Sequence, residues 1–73
     1  IKTHFSPNPT NDLLHITANQ PFKYLKITDL LGKTQIEKTV NSTETIISTA
    51  ELPQGVYIGL IDGIFIQKII VLH

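Results

Sequence analysis

Cysteine is missing from all 73 residues, so no disulfide staples the fold and no thiolate serves as nucleophile or metal ligand. An excess of one charge is missing too. Six basic residues balance six acidic ones and are scattered singly, which leaves no electrostatic footprint for nucleic acid or an anionic membrane. Long hydrophobic runs are absent as well: the longest, near the end, is interrupted by Gln67 and Lys68, far short of the roughly 20 apolar residues of a spanning helix. Direct membrane insertion is therefore not expected. The chain opens on Ile1 with no initiator methionine and no charged, apolar and small-residue series of a secretory leader. Residues 1–73 are accordingly expected to be a single domain cut from a longer precursor. A chain this short buries only about 60% of its unfolded surface, and its stability should be modest.

What is present is a period of two. Apolar residues alternate along segments crowded with β-branched side chains, and no window longer than about ten residues carries a helical stripe. The expected fold is all-β, with seven strands at Lys2–Ser6, Leu13–Thr17, Tyr24–Asp29, Thr34–Val40, Thr45–Ser48, Gly55–Ile61 and Phe65–Leu72. Their spacing of roughly 8–12 residues suits an antiparallel sandwich.

The connections agree. In Phe5-Ser-Pro-Asn-Pro-Thr-Asn-Asp12 two prolines, which fix their own φ and bias Ser6 and Asn8 to extended geometry, form a stiff elbow. The polar residues after it turn the chain from an edge strand to the first core strand. Asp29-Leu-Leu-Gly-Lys33 places Asp29 and Gly32 at the ends of a type I turn, and Asp62-Gly63 is the pair that a type I′ hairpin requires. Leu52-Pro-Gln-Gly55 reads as a further turn, with Leu52 tucked beneath the sandwich and Gly55 at its fourth position.

Candidate chemistry is sparse. His4, His15 and His73 fall in different strands with no ligand-pair spacing, so each is expected to be an exposed histidine and not a metal ligand. No nucleophile elbow surrounds Ser6, Ser42 or Ser48. The isolated glycines form no phosphate cradle, and Asp29 and Asp62 lack the dense oxygen loop of a calcium site. Asn41-Ser-Thr43 matches a glycosylation acceptor, but the pattern is common by chance and a turn explains it far better. Tyr57 alternates with apolar neighbours as a core residue does. No cofactor and no catalytic residue are expected.

In order along the chain stand the elbow at Pro7, Asn8 and Pro9, the turn at Asp29, Gly32 and Lys33, and the segment Leu52 to Tyr57 with Gly55. Lys68 followed by Ile69, Ile70 and Val71 completes the series at the end. Together these motifs resemble the type A carboxyl-terminal sorting domain of the type IX secretion system (the Por secretion system) of Bacteroidetes. The resemblance covers nearly the whole chain and departs from the pattern at His73. It implies an immunoglobulin-like sandwich behind an amino-terminal passenger, recognised by the type IX translocon and cut off by a sortase-like peptidase. The passenger would reach the cell surface or the medium through the periplasm and outer membrane. The rival reading is an adhesive or carbohydrate-binding sandwich, for which Phe22 and Phe65 are the candidate stacking aromatics.

The terminal strand has two largely apolar faces, Ile64, Ile66, Lys68, Ile70 and Leu72 on one and Phe65, Gln67, Ile69, Val71 and His73 on the other. Such a strand is central, covered, or left partly exposed for a partner to cover.

Overall fold

The computed structural model describes residues 2–73, apart from the side chain of Phe65. Its strands are β1 (Thr3–Ser6), β2 (Leu13–Thr28), β3 (Thr34–Ser48), β4 (Gly55–Ile61) and β5 (Ile64–Val71). All pair antiparallel in one curled sheet, in the order β1-β2-β4-β5 with β3 along β2. The expectation of an all-β antiparallel fold holds, but the strand count is five, not seven.

The difference has a local cause. The expected strands Leu13–Thr17 and Tyr24–Asp29 are the two halves of β2, and Thr34–Val40 and Thr45–Ser48 are the two halves of β3. Between them the sequence carries residues that ordinarily end strands, Asn19 and Pro21 in β2 and Asn41 in β3. Here they bend the ribbon instead, because both strands turn together: β2 advances from Thr17 to Phe22 while β3 covers only Glu44 to Ser42, and Asn41 takes φ 51°. Asparagine tolerates that left-handed conformation, and proline at the bend forgoes a ladder bond.

The bend sets the architecture. β1 pairs with the first half of β2, through Phe5↔Ile16, and β4 pairs with the second half, through Ile27↔Gly59. Folding β2 at its middle brings these two ends face to face. The core between them is built from alternate residues of each strand, including Phe5, Leu14, Ile16, Phe22, Leu25, Ile27, Tyr57, Ile61, Ile69 and Val71. Burying large aliphatic side chains gains about 1.5–3 kcal/mol each, which is what holds so small a chain together.

Phe5 fits because Gly59 has no side chain. A Cβ at Gly59 would lie 2.8 Å from Phe5 Cε2 and 2.9 Å from Ile69 Cδ1. No turn requires Gly59; its requirement is steric and comes from a strand distant in sequence.

Two turns form as expected. Gly32 N donates to the Asp29 carbonyl at 3.1 Å with Gly32 at φ 89°, and Asp62 and Gly63 take φ 52° and 80° at the β4–β5 hairpin. The third lies earlier than expected: Leu52 N donates to the Thr49 carbonyl at 3.0 Å, so the hydrogen-bonded turn is Thr49–Leu52. Gly55 opens β4, and a Cβ there meets nothing within 4 Å. Its expected turn role is therefore corrected, whereas the expected burial of Leu52 holds.

Candidate recognition surface

The four motif segments, spread over the chain, gather at one end of the fold. Asn8 sits beside the outer edge of β5, where its Nδ2 donates to the Lys68 carbonyl at 3.0 Å and its Oδ1 accepts from Ile70 N at 3.0 Å. A single side chain thus stands in for a paired strand. Thr10 continues the seam with its backbone, donating to the Ile70 carbonyl at 2.8 Å and accepting from Leu72 N at 2.9 Å. Pro7 and Pro9 flank these contacts, exposed and without N–H groups of their own. The elbow consequently caps the edge that β5 presents from Lys68 to Leu72.

The other motifs support the same strand. Gly55 and Tyr57 pair with Val71 and Ile69 across β4 and β5, and the buried Tyr57 hydroxyl donates to the Pro53 carbonyl at 2.5 Å. His73 lies just past β5, its backbone N–H donating to Gln54 Oε1 at 3.1 Å and its Nε2 lying 2.7 Å from the Leu52 carbonyl. The Asp29 turn follows directly on Thr28, which pairs with Ile58 of β4. Asp29 Oδ1 accepts from Leu31 N and Lys33 N, both at 2.9 Å, so the carboxylate is spent on shaping the turn. Beneath them Thr10 and Thr49 are almost wholly buried, and Thr49 Oγ1 donates to the Asp12 carbonyl at 2.7 Å.

Buried Leu52, Tyr57, Ile69 and Val71 are architecture. What they leave outside is the outward face of β4 and β5. Opposite the inward row of Tyr57, Gly59 and Ile61 stand Val56, Ile58 and Leu60, joined across the ladder by Lys68 and Ile70 and extended by Leu72. Ile58, Leu60 and Ile70 are half-buried, while Val56 and Leu72 are exposed. Strict alternation along the terminal strand fails, because a bulge lets Gly59 oppose Gln67 while Leu60 opposes Phe65. Ile66 consequently packs against the core, although alternation groups it with Lys68 and Ile70. At the same end Leu30 and Leu31 are 64% and 95% exposed at the tip of the Asp29 turn.

Other candidates dissolve. His15 Nε2 lies 3.2 Å from Glu44 Oε2 on the surface, His4 is also exposed, and no three His, Asp or Glu side chains converge among the described residues. No concave pocket opens among the described residues. Phe22 is 1% exposed and cannot stack on a sugar. The side chain of Phe65, the other candidate, lies outside the described residues. Tyr24 donates its hydroxyl to Glu37, and this bond, with smaller contributions from desolvation and the carboxylate charge, raises the phenol above its ordinary pKa.

No curated protein and no solved structure matches the chain. The family described as secretion system C-terminal sorting domain matches residues 5–71, from the core phenylalanine before the elbow to the last residue of β5. The chain therefore belongs to the family of type IX secretion C-terminal sorting domains, which mark proteins for export across the outer membrane to the cell surface or the medium.

Proposed function

We propose that the domain acts without catalysis, as the address of an amino-terminal passenger, and that the type IX translocon recognises it by covering the outward face of β4 and β5. The observation that carries this reading is the row Val56, Ile58, Leu60, Ile70 and Leu72, apolar and only partly covered, on a domain whose motif residues otherwise serve to position it. Apolar faces of this kind on small domains are interaction surfaces, and Lys68 supplies a charged orientation point within the row. In this reading residues 1–73 are one unit of a longer precursor, and a sortase-like peptidase cuts upstream of β1 once the passenger has crossed. Counting each half of the bent β2 and β3 separately gives the seven segments of the immunoglobulin-like description.

The test fuses residues 1–73 to a periplasmic reporter in a host with this secretion system. The wild-type fusion should cross the outer membrane. Replacing Ile58, Leu60 and Ile70 with threonine should abolish export while the fold survives, judged by circular dichroism and denaturation of the same protein. Normal export from the folded triple variant would refute recognition of this face, and an intact wild-type fusion that stays periplasmic would refute the address itself.

A further inference from the structure

We infer that Asn8 is a positioning residue for export: its side-chain amide clips the elbow to the edge of β5, so the exported signal exists only while the elbow is docked. This rests on the reading of the β4–β5 outward face as the recognised surface.

The geometry is specific. β5 is laddered to β4 on one side only, and on the other side the Lys68 carbonyl and the Ile70 N–H point at Asn8. Both polar atoms of one amide are used, the donor on the carbonyl and the acceptor on the N–H, a pairing that serine, aspartate or alanine cannot reproduce. Thr10 supplies the next two bonds from its backbone, to Ile70 and Leu72. Thr10 is in turn fixed by its hydroxyl, which donates to the Leu13 carbonyl at 3.1 Å and contacts Thr49. Ile70, whose side chain belongs to the outward row, thus has both backbone groups held by the elbow. Without the Asn8 amide the Lys68 carbonyl and the Ile70 N–H stand open on the edge of β5, and the outward side chains of Lys68 and Ile70 lose their fixed position. Such an edge also invites pairing with a second copy, which the clip prevents. The consequence is that the elbow between β1 and β2 and the strand offered to the machinery form one mechanical unit, although Asn8 and Ile70 lie 62 positions apart.

Asn8 is exposed and its amide bonds to backbone atoms of β5, so its substitution separates the clip from folding better than any truncation of β5 does. In the reporter fusion, Asn8→Ala should raise amide exchange at Ile70 about tenfold, the factor that loss of one hydrogen bond brings, and lower export by at least about as much. Asn8→Asp keeps an acceptor for Ile70 N–H and sets an oxygen against the Lys68 carbonyl. It too should lose export, with Ile70 exchange nearer the wild type, and it keeps the proposal testable should the alanine variant fold poorly. Gly63→Val is the control, since it loosens the hairpin end of the same strand, away from the elbow. Export lost in both Asn8 variants and retained in a Gly63→Val protein of equal or lower stability supports the clip. Wild-type export from either folded Asn8 variant overturns it, as does equal loss in Asn8→Ala and Gly63→Val. The threonine face variant separates the two ideas: if it fails to export while the Asn8 variants succeed, the face is recognised and the clip is wrong.

Discussion

Substituting Gly59 with alanine adds a single methyl group at the point where the two halves of the fold meet. Its Cβ would stand 2.8 and 3.0 Å from Phe5 Cε2 and Cζ and 2.9 Å from Ile69 Cδ1. Neither neighbour is free to yield. Phe5 is 2% exposed and Ile69 is wholly buried, so moving either ring or methyl displaces a further layer of core. Overpacking of this kind costs about 1–3 kcal/mol, and the reduced freedom of the unfolded chain returns about 0.4–1 kcal/mol. The net loss should be about 1–2 kcal/mol, a large share of what a chain of this size has to lose. With a urea dependence of about 1 kcal/mol per molar, the unfolding midpoint should fall by about 1–2 M. A second substitution identifies the cause. Phe5→Leu alone should also destabilise, but combined with Gly59→Ala it removes the ring atoms that collide, so the double variant should lose less than the two singles together. An unchanged midpoint for Gly59→Ala, or strict additivity of the pair, would refute the view that this glycine exists to admit Phe5.

The two outlying glycines of β4 and its hairpin should behave oppositely to one another. Gly63→Val should cost about 1–3 kcal/mol, because φ is 80° there, whereas Gly55→Val should change the denaturation midpoint little, since nothing lies within 4 Å of its Cβ and its φ is ordinary. Tyr24, held protonated by Glu37, should titrate above the ordinary tyrosine range in an absorbance titration, and Glu37→Ala should lower that midpoint. The sign follows from linkage: the folded state keeps the phenol proton longer than the unfolded chain does. This contribution to stability is therefore complete below pH 10 and is lost as pH rises from there through the folded value.

Local chemistry was legible in the sequence wherever a residue's requirement is met within a few positions. Gly32 and Asp62-Gly63 declare themselves because positive φ is a property of one residue and its turn. The pairing of strands across those turns followed from the same signals. Requirements met over long distances were not legible. Nothing in the surroundings of Gly59 predicts Phe5 as its neighbour, and nothing in Pro-Asn-Pro announces that the asparagine completes a strand 60 residues later. The bend in β2 and β3 shows a subtler failure. Asn19 and Pro21 lie at a register shift and Asn41 takes a positive φ, yet such a break in regular geometry ends a strand only if its partner does not bend with it. The bulge in β5 escaped for a related reason, since a strand largely apolar on both faces carries little alternation from which a slipped register could be seen.

Which motif residues serve the fold and which face outward is a distinction the sequence alone does not draw, because both kinds stand side by side in the same segments. Tyr57 and Leu52 are buried, Asp29 is consumed by its own turn, and Gly32 is fixed by its φ. None of these offers a functional group to a partner. The residues that do face outward, Ile58, Leu60, Ile70 and Leu72, are ordinary aliphatics, so on the proposed reading a partner that covers them reads apolarity and position more than identity. A signal of this sort is encoded by the residues that set the position. On the proposed reading, that is why an asparagine in the elbow, a glycine in a turn and a tyrosine beneath a loop form the signature of an export domain while the surface beside them is chemically plain.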